Sequence, residues 1–87
     1  MPDQATALVR AIVRDGEVAW SSRALKDMRS HRLTTADCHN VLQRGVSDPG
    51  ERVRGSLQYR VHTYRACVAV MFRSTTELVV VSVWRKR

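Results

Sequence analysis

No CxxC pair, no HxxxH spacing, no P-loop, and neither GxGxxG nor GxSxG occurs in this chain. Each absence removes a class. Without paired cysteines or spaced histidines there is no zinc-site reading. Without the glycine-rich turns there is no dinucleotide fingerprint, no triphosphate cradle and no nucleophile elbow. Glycine itself is scarce, four in 87 residues, so phosphate-cradling loops have little to be built from. Long apolar runs are missing too; the longest are strand length, far short of the roughly 20 residues of a membrane span. The opening "MPDQATALVR" has neither the basic nor the apolar region of a signal peptide. Cys38 and Cys67 stand far apart and read as reduced, structural residues. The expectation is a soluble cytoplasmic protein with no metal, no cofactor and no membrane partner.

Acid is the other shortage. Fifteen Lys and Arg face eight Asp and Glu, for a formal charge of +7. The imbalance is local. Up to Gly50 the cations nearly match the acids, but beyond it Arg52, Arg54, Arg60, Arg65, Arg73, Arg85, Lys86 and Arg87 face only Glu51 and Glu77. Such a surface in so small a domain suits a polyanion, most simply a nucleic acid. Most of the excess is arginine, which contacts phosphate or guanine bidentately.

Eighty-seven residues make one domain, 1–87, with one modest core. "DQATALVRAIVRDGE" carries a helical apolar stripe, with Asp3 as cap and Gly16 as stop. "EVAW" reads as an extended link. "SSRALKDMRSHR" predicts a second helix capped by Ser21 or Ser22. "LTTADCHNVLQRG" predicts a third, with Thr34 and Asp37 near a capping box and Gly45 at its end. After "VSDPG" the period becomes two-fold. "ERVRG", "SLQYRVHTY", "ACVAVMFRS" and "ELVVVSVWRK" predict four strands joined at Gly55-Ser56, Arg65 and Ser74-Thr75-Thr76, hence an antiparallel meander. The fold class expected is α+β, three N-terminal helices packed on a four-stranded antiparallel sheet.

In "GSLQYRVHTYR" one parity holds Gln58, Arg60, His62 and Tyr64, about 6.6 Å apart along a strand. Arg52 and Arg54 share a parity on the strand before, and Trp84, Arg85 and Lys86 end the last strand. Metal-free RNA cleavage needs a base for the 2′-hydroxyl, an acid for the leaving oxygen and a cation for the phosphorane. His62 can serve as base or acid, the arginines stabilise phosphate charge, and Tyr59, Tyr64 and Trp84 can stack on splayed bases. The catalytic candidates are therefore His62, Arg60, Gln58 and Tyr64. The substrate-binding candidates are Arg52, Arg54, Tyr59, Arg73, Trp84, Arg85 and Lys86. The bland reading stands beside this one: any antiparallel strand with one wet face presents such residues. Cys67 and His62 form a nucleophile pair only on paper, since parity argues against it and "ACVAVMF" is core-like.

"LVRAIVRDGEVAWSSRALKDMRSHRLTTADCHNVLQRG" and the strands "SLQYRVHTYRACVAVMF" and "ELVVVSVWRK" resemble MqsR-type toxins within the RelE-like ribonucleases, over nearly the whole chain. The resemblance implies a RelE-like fold and a type II toxin that cuts mRNA without metal, on or off the ribosome. It also implies a cognate antitoxin as partner; a homodimer is left open. Such toxins use a lysine on the first strand, a glutamine on the second and a tyrosine on the third. Gln58 falls at the glutamine. Arg52 or Arg54 is nearest the lysine. The third strand has no tyrosine, so Tyr64 is the substitute, and Arg23 stands where many relatives carry histidine. A non-catalytic nucleic-acid-binding module is the alternative, and a protein-interaction domain the third reading.

Overall fold

The computed structural model describes residues 3–86; Met1, Pro2 and Arg87, on which parts of the leader and charge readings fall, lie outside the described residues. Helix α1 spans Gln4–Asp15, strand β1 Glu17–Trp20, helix α2 Ser22–Ser30 and helix α3 Thr35–Arg44. Strands β2 (Val46–Ser47), β3 (Glu51–Val53), β4 (Ser56–His62), β5 (Ala66–Phe72) and β6 (Glu77–Arg85) follow. Each helix starts under a side chain that accepts an orphan amide: Asp3 from Thr6, Ser21 from Ala24, Thr34 from Asp37. Asp37 returns the bond to the Thr34 amide and completes a capping box.

The sheet corrects the expected architecture. It has six strands and is mixed, in the order β1-β6-β5-β4-β2 with β3 also on β4. The four-stranded antiparallel, RelE-like arrangement does not hold, and the helices do not all precede the strands. "EVAW" is not a link: it pairs in parallel with β6, Glu17 opposite Glu77 through Trp20 opposite Val80. A four-residue strand whose partner lies some sixty positions away carries no local hairpin signal, so alternation alone does not reveal it. The two-residue β2 is too short to show a period.

The core lies on one face of the sheet. Val9 and Ile12 of α1, Ala24 and Met28 of α2, and Cys38, Val41 and Leu42 of α3 pack on Val61, Ala66, Val68, Val70, Leu78, Val80 and Val83. Each buried valine is worth about 1.5–3 kcal/mol, against about 0–1 kcal/mol for an exposed ion pair. The valines therefore set the strand registers. Buried Thr6 ties α1 to β2 by accepting from the Ser47 amide at 2.9 Å.

Two register shifts govern which side chains leave the core. In β6, Val70 of β5 pairs with Val80 while Ala69 pairs with Ser82, so Val81 is extra. Val80 and Val83, three residues apart, can then both face the helices. Along β4, Ser47 pairs with Val61 but Glu51 pairs with Gln58. Asp48, Pro49 and Gly50 thus oppose only Tyr59 and Arg60.

Beyond Trp20 the β6 edge is closed by α2. Asp27 Oδ2 accepts from the Ser82 hydroxyl (2.8 Å) and the Val83 amide (3.3 Å), and His31 Nδ1 from the Arg85 amide (3.3 Å). These bonds occupy amides that an open edge would offer to another chain. Among the described residues no helix is long and apolar enough to cross a membrane.

Candidate nucleic-acid interface

The parity of β4 divides its side chains. Val61 is fully buried against the helices, while Gln58, Arg60 and His62 project from the other, open face. Among the described residues the helices pack on the opposite face, and the small residues Cys67 and Ala69 of this one are buried.

His62 is held at both ring nitrogens. Nε2 lies 3.0 Å from Asp48 Oδ1, and Nδ1 lies 3.1 Å from Lys86 Nζ. An ammonium only donates, so Nδ1 accepts from Lys86 and the Nε2–H donates to Asp48. The network selects the neutral Nε2–H tautomer. Lys86 is brought there by its own backbone, whose amide donates to the Arg65 carbonyl at 2.8 Å and prolongs β6 alongside the β4–β5 turn.

Beside this ring, Arg60 Nη2 meets Glu51 Oε1 at 2.8 Å across β3 and β4. Both side chains are about half exposed, 51% and 56%, so the pair is weak and a phosphate can replace the carboxylate. Asp48, Glu51, Gln58, Arg60, Trp84 and Arg23 line a groove of about 800 Å³ on the open face. Arg54 reaches its rim from a two-residue turn in which Arg54 and Gly55 both take positive φ, 51° and 85°.

Several candidates lie elsewhere. Tyr59 packs on the core face against Phe72, with ring centroids 5.2 Å apart, and is not free to stack on a base. Arg52 pairs with Leu57, on the parity opposite Gln58, and donates to the Gly55 carbonyl. Arg73 is paired with Glu77 at the β5–β6 turn. Arg85 lies on the core side, where its guanidinium donates to the His31 and Arg32 carbonyls at 3.1 Å each and caps the end of α2. Tyr64 has left the stripe: β4 ends at His62, and Tyr64 sits in the following turn, 81% exposed, accepting from Arg65 Nε at 3.0 Å. The stripe of four is a stripe of three, joined by Lys86 and Trp84.

Parity does not separate Cys67 from His62. The two are direct partners across β4 and β5 and share the open face. The chemistry still disfavours a thiolate nucleophile, because burial pushes the Cys67 thiol up despite nearby Lys86 and Arg60. Burial likewise pushes Cys38 up to about 11. No group of three or more His, Cys, Asp or Glu side chains suited to a metal ion occurs among the described residues.

Asp48, held on the His62 ring, is a candidate site residue that the sequence reading does not pick out. A signal existed: Asp48 and Glu51 flank Pro49-Gly50 where the balanced part of the chain gives way to the acid-poor, basic strands. Fold and site together define a mixed α+β domain whose open sheet face carries a histidine set among cations. No protein-family model, curated protein or solved structure matches the chain.

Proposed function

We propose that this protein is an endoribonuclease that cuts single-stranded mRNA through its 2′-hydroxyl, without a metal ion in the step. The observation that carries the reading is the His62 ring, fixed between the Asp48 carboxylate and the Lys86 ammonium. Asp48 holds the tautomer whose Nδ1 carries the free lone pair. A 2′-hydroxyl that displaces Lys86 from Nδ1 gives its proton to that nitrogen. The oxygen then attacks phosphorus, and the 5′-oxygen leaves with a proton from water, giving a 2′,3′-cyclic phosphate. Lys86, freed but adjacent, and Arg60, exchanging Glu51 for phosphate, stabilise the phosphorane. Trp84 stacks a neighbouring base and Gln58 orients the backbone. In line with the resemblance to MqsR-type toxins, an antitoxin would silence the protein by covering this face or by adding a strand along β1, which ends the sheet.

Incubation of the protein with single-stranded RNA in excess EDTA tests the reading. Fragments with cyclic phosphate ends are expected, and His62→Ala should lower the rate by about 10²–10⁴-fold. An inert wild type, or an undiminished His62→Ala, overturns it. The second reading is a non-catalytic binding module, which would use the same cations, Arg60 and Lys86, and need no proton transfer at His62. Salt-dependent RNA binding without cleavage would establish that module instead.

A further inference from the structure

The open-face groove stops at the hydrogen bond between Asp48 and His62. Asp48 lines that groove, whereas His62 lines a second one of about 630 Å³ on the other side. This second groove is formed by Asn40 and Arg44 from the last turns of α3, Val46 of β2, and Tyr64 and Arg65 of the β4–β5 turn. Its composition differs from the first. Among the described residues it contains two arginines and no carboxylate, whereas Asp48 and Glu51 intrude on the first. Nearby Asp37 spends its carboxylate on the Thr34 amide at 2.8 Å.

The groove also holds the two most exposed large apolar side chains among the described residues, Tyr64 at 81% and Val46 at 53%. Packing does not account for them. The Arg65 guanidinium lies 5.4 Å from the Tyr64 ring centroid, over one ring face. The other face is available. An exposed aromatic ring beside an amide and two arginines that form no ion pair among the described residues is the set of groups that takes an unpaired nucleotide: ring on base, guanidinium on phosphate, amide on the base edge.

We infer that this groove is a second nucleotide subsite, which binds the nucleotide across the cleaved phosphate from the one over Trp84. The inference rests on the proposed cleavage at His62 for its register, and it makes the substrate a single strand spanning both grooves. Tyr64 stacks the base, Arg44 and Arg65 hold its phosphate, and Asn40 contacts the base edge. A duplex does not fit, because its bases are already stacked on one another.

Binding of a labelled, uncleavable 2′-O-methyl strand of about 12 nucleotides tests this. Against wild type, Tyr64→Ala should lose about tenfold in affinity. The double variant Arg44→Ala/Arg65→Ala should bind more weakly, with a slope of log K against log salt shallower by about 1.4. All three side chains are exposed, so melting temperatures should stay put. Unchanged affinity and slope in these variants, with RNA still cut, overturns the subsite and leaves the cleavage reading intact. Variant-sensitive binding by a wild type that does not cut overturns cleavage and keeps the subsite. No binding by wild type overturns both. Equal, variant-sensitive affinity for polyglutamate would make the groove a protein-docking site and overturn the subsite.

Discussion

Asp48 and Glu51 stand three residues apart, yet their carboxylates reach the same face of the sheet, one on His62 and the other on Arg60. Strict alternation would send them to opposite faces. The extra residue between β2 and β3 resets the parity. Two acids are thereby spent on one face of a chain short of acid, and they have different consequences. Asp48 orients the His62 ring, whereas Glu51 only occupies an arginine.

The two are separable by kinetics. Asp48→Asn removes the charge that holds the Nε2–H, so kcat on RNA should fall by about 10²-fold. It also removes a negative charge beside the substrate, so KM should fall or stay level. Glu51→Gln should lower KM and leave kcat unchanged. If Asp48→Asn raised KM and spared kcat, Asp48 would not be a positioning residue for His62.

The shared face of three candidate residues was readable because β4 is regular. Its alternation, anchored by Val61, places Gln58, Arg60 and His62 together. Thr34, Asp37 and Gly45 mark α3 through local bonds that a sequence displays. What could not be read depends on irregularities and distant pairing. The bulge at Val81 decides that Arg85 caps α2 while Lys86 reaches His62. The register shift after Ser47 hides Asp48. The parallel pairing of β1 with β6 joins segments with no common turn. Gly45 shows the same limit: it reads as a helix stop, but a Cβ there would also come within 2.7 Å of the His62 carbonyl, so it sets how closely α3 approaches the site.

The end of α2 offers a stability test with a definite sign. The Leu33 amide donates to the Met28 carbonyl and the Arg32 amide to the Arg29 carbonyl, the paired bonds of a Schellman motif. Its left-handed position is filled by Arg32, at φ 56°. A side chain there costs about 1 kcal/mol that glycine avoids, offset in part by glycine's freer unfolded chain. Arg32→Gly should stabilise by about 0.5–1 kcal/mol, raising Tm by roughly 4 °C in a domain of this size. Arg32→Val should lower Tm, since a branched side chain fits that conformation worst. Calorimetry giving both variants the same sign would refute this account.

Stability against pH is bounded on both sides by groups already described. Hydrogen bonds from the Thr6 and Thr34 amides hold the Asp3 and Asp37 carboxyls below their ordinary 3.8. The fold therefore binds fewer protons than the unfolded chain in that range. Their stabilisation is present above about pH 4 and is lost as the pH falls further. On the alkaline side, burial moves Cys38 from 9.0 to about 11, so the fold keeps a proton that the unfolded chain gives up. That contribution is full below pH 9 and disappears as pH rises to 11, a loss of about 2–3 kcal/mol. Urea unfolding of wild type and Cys38→Ala, at steps from pH 8 to 11, isolates the thiol. The variant starts less stable because it leaves a cavity, but its curve should fall less steeply, and the two should converge. Parallel curves would mean that the Cys38 thiol is not held protonated by burial. The same burial should leave Cys38 and Cys67 unreactive to iodoacetamide at pH 8 until urea unfolds the chain. Rapid alkylation of Cys67 in the folded protein would put a thiolate beside His62 and reopen its candidacy as a nucleophile.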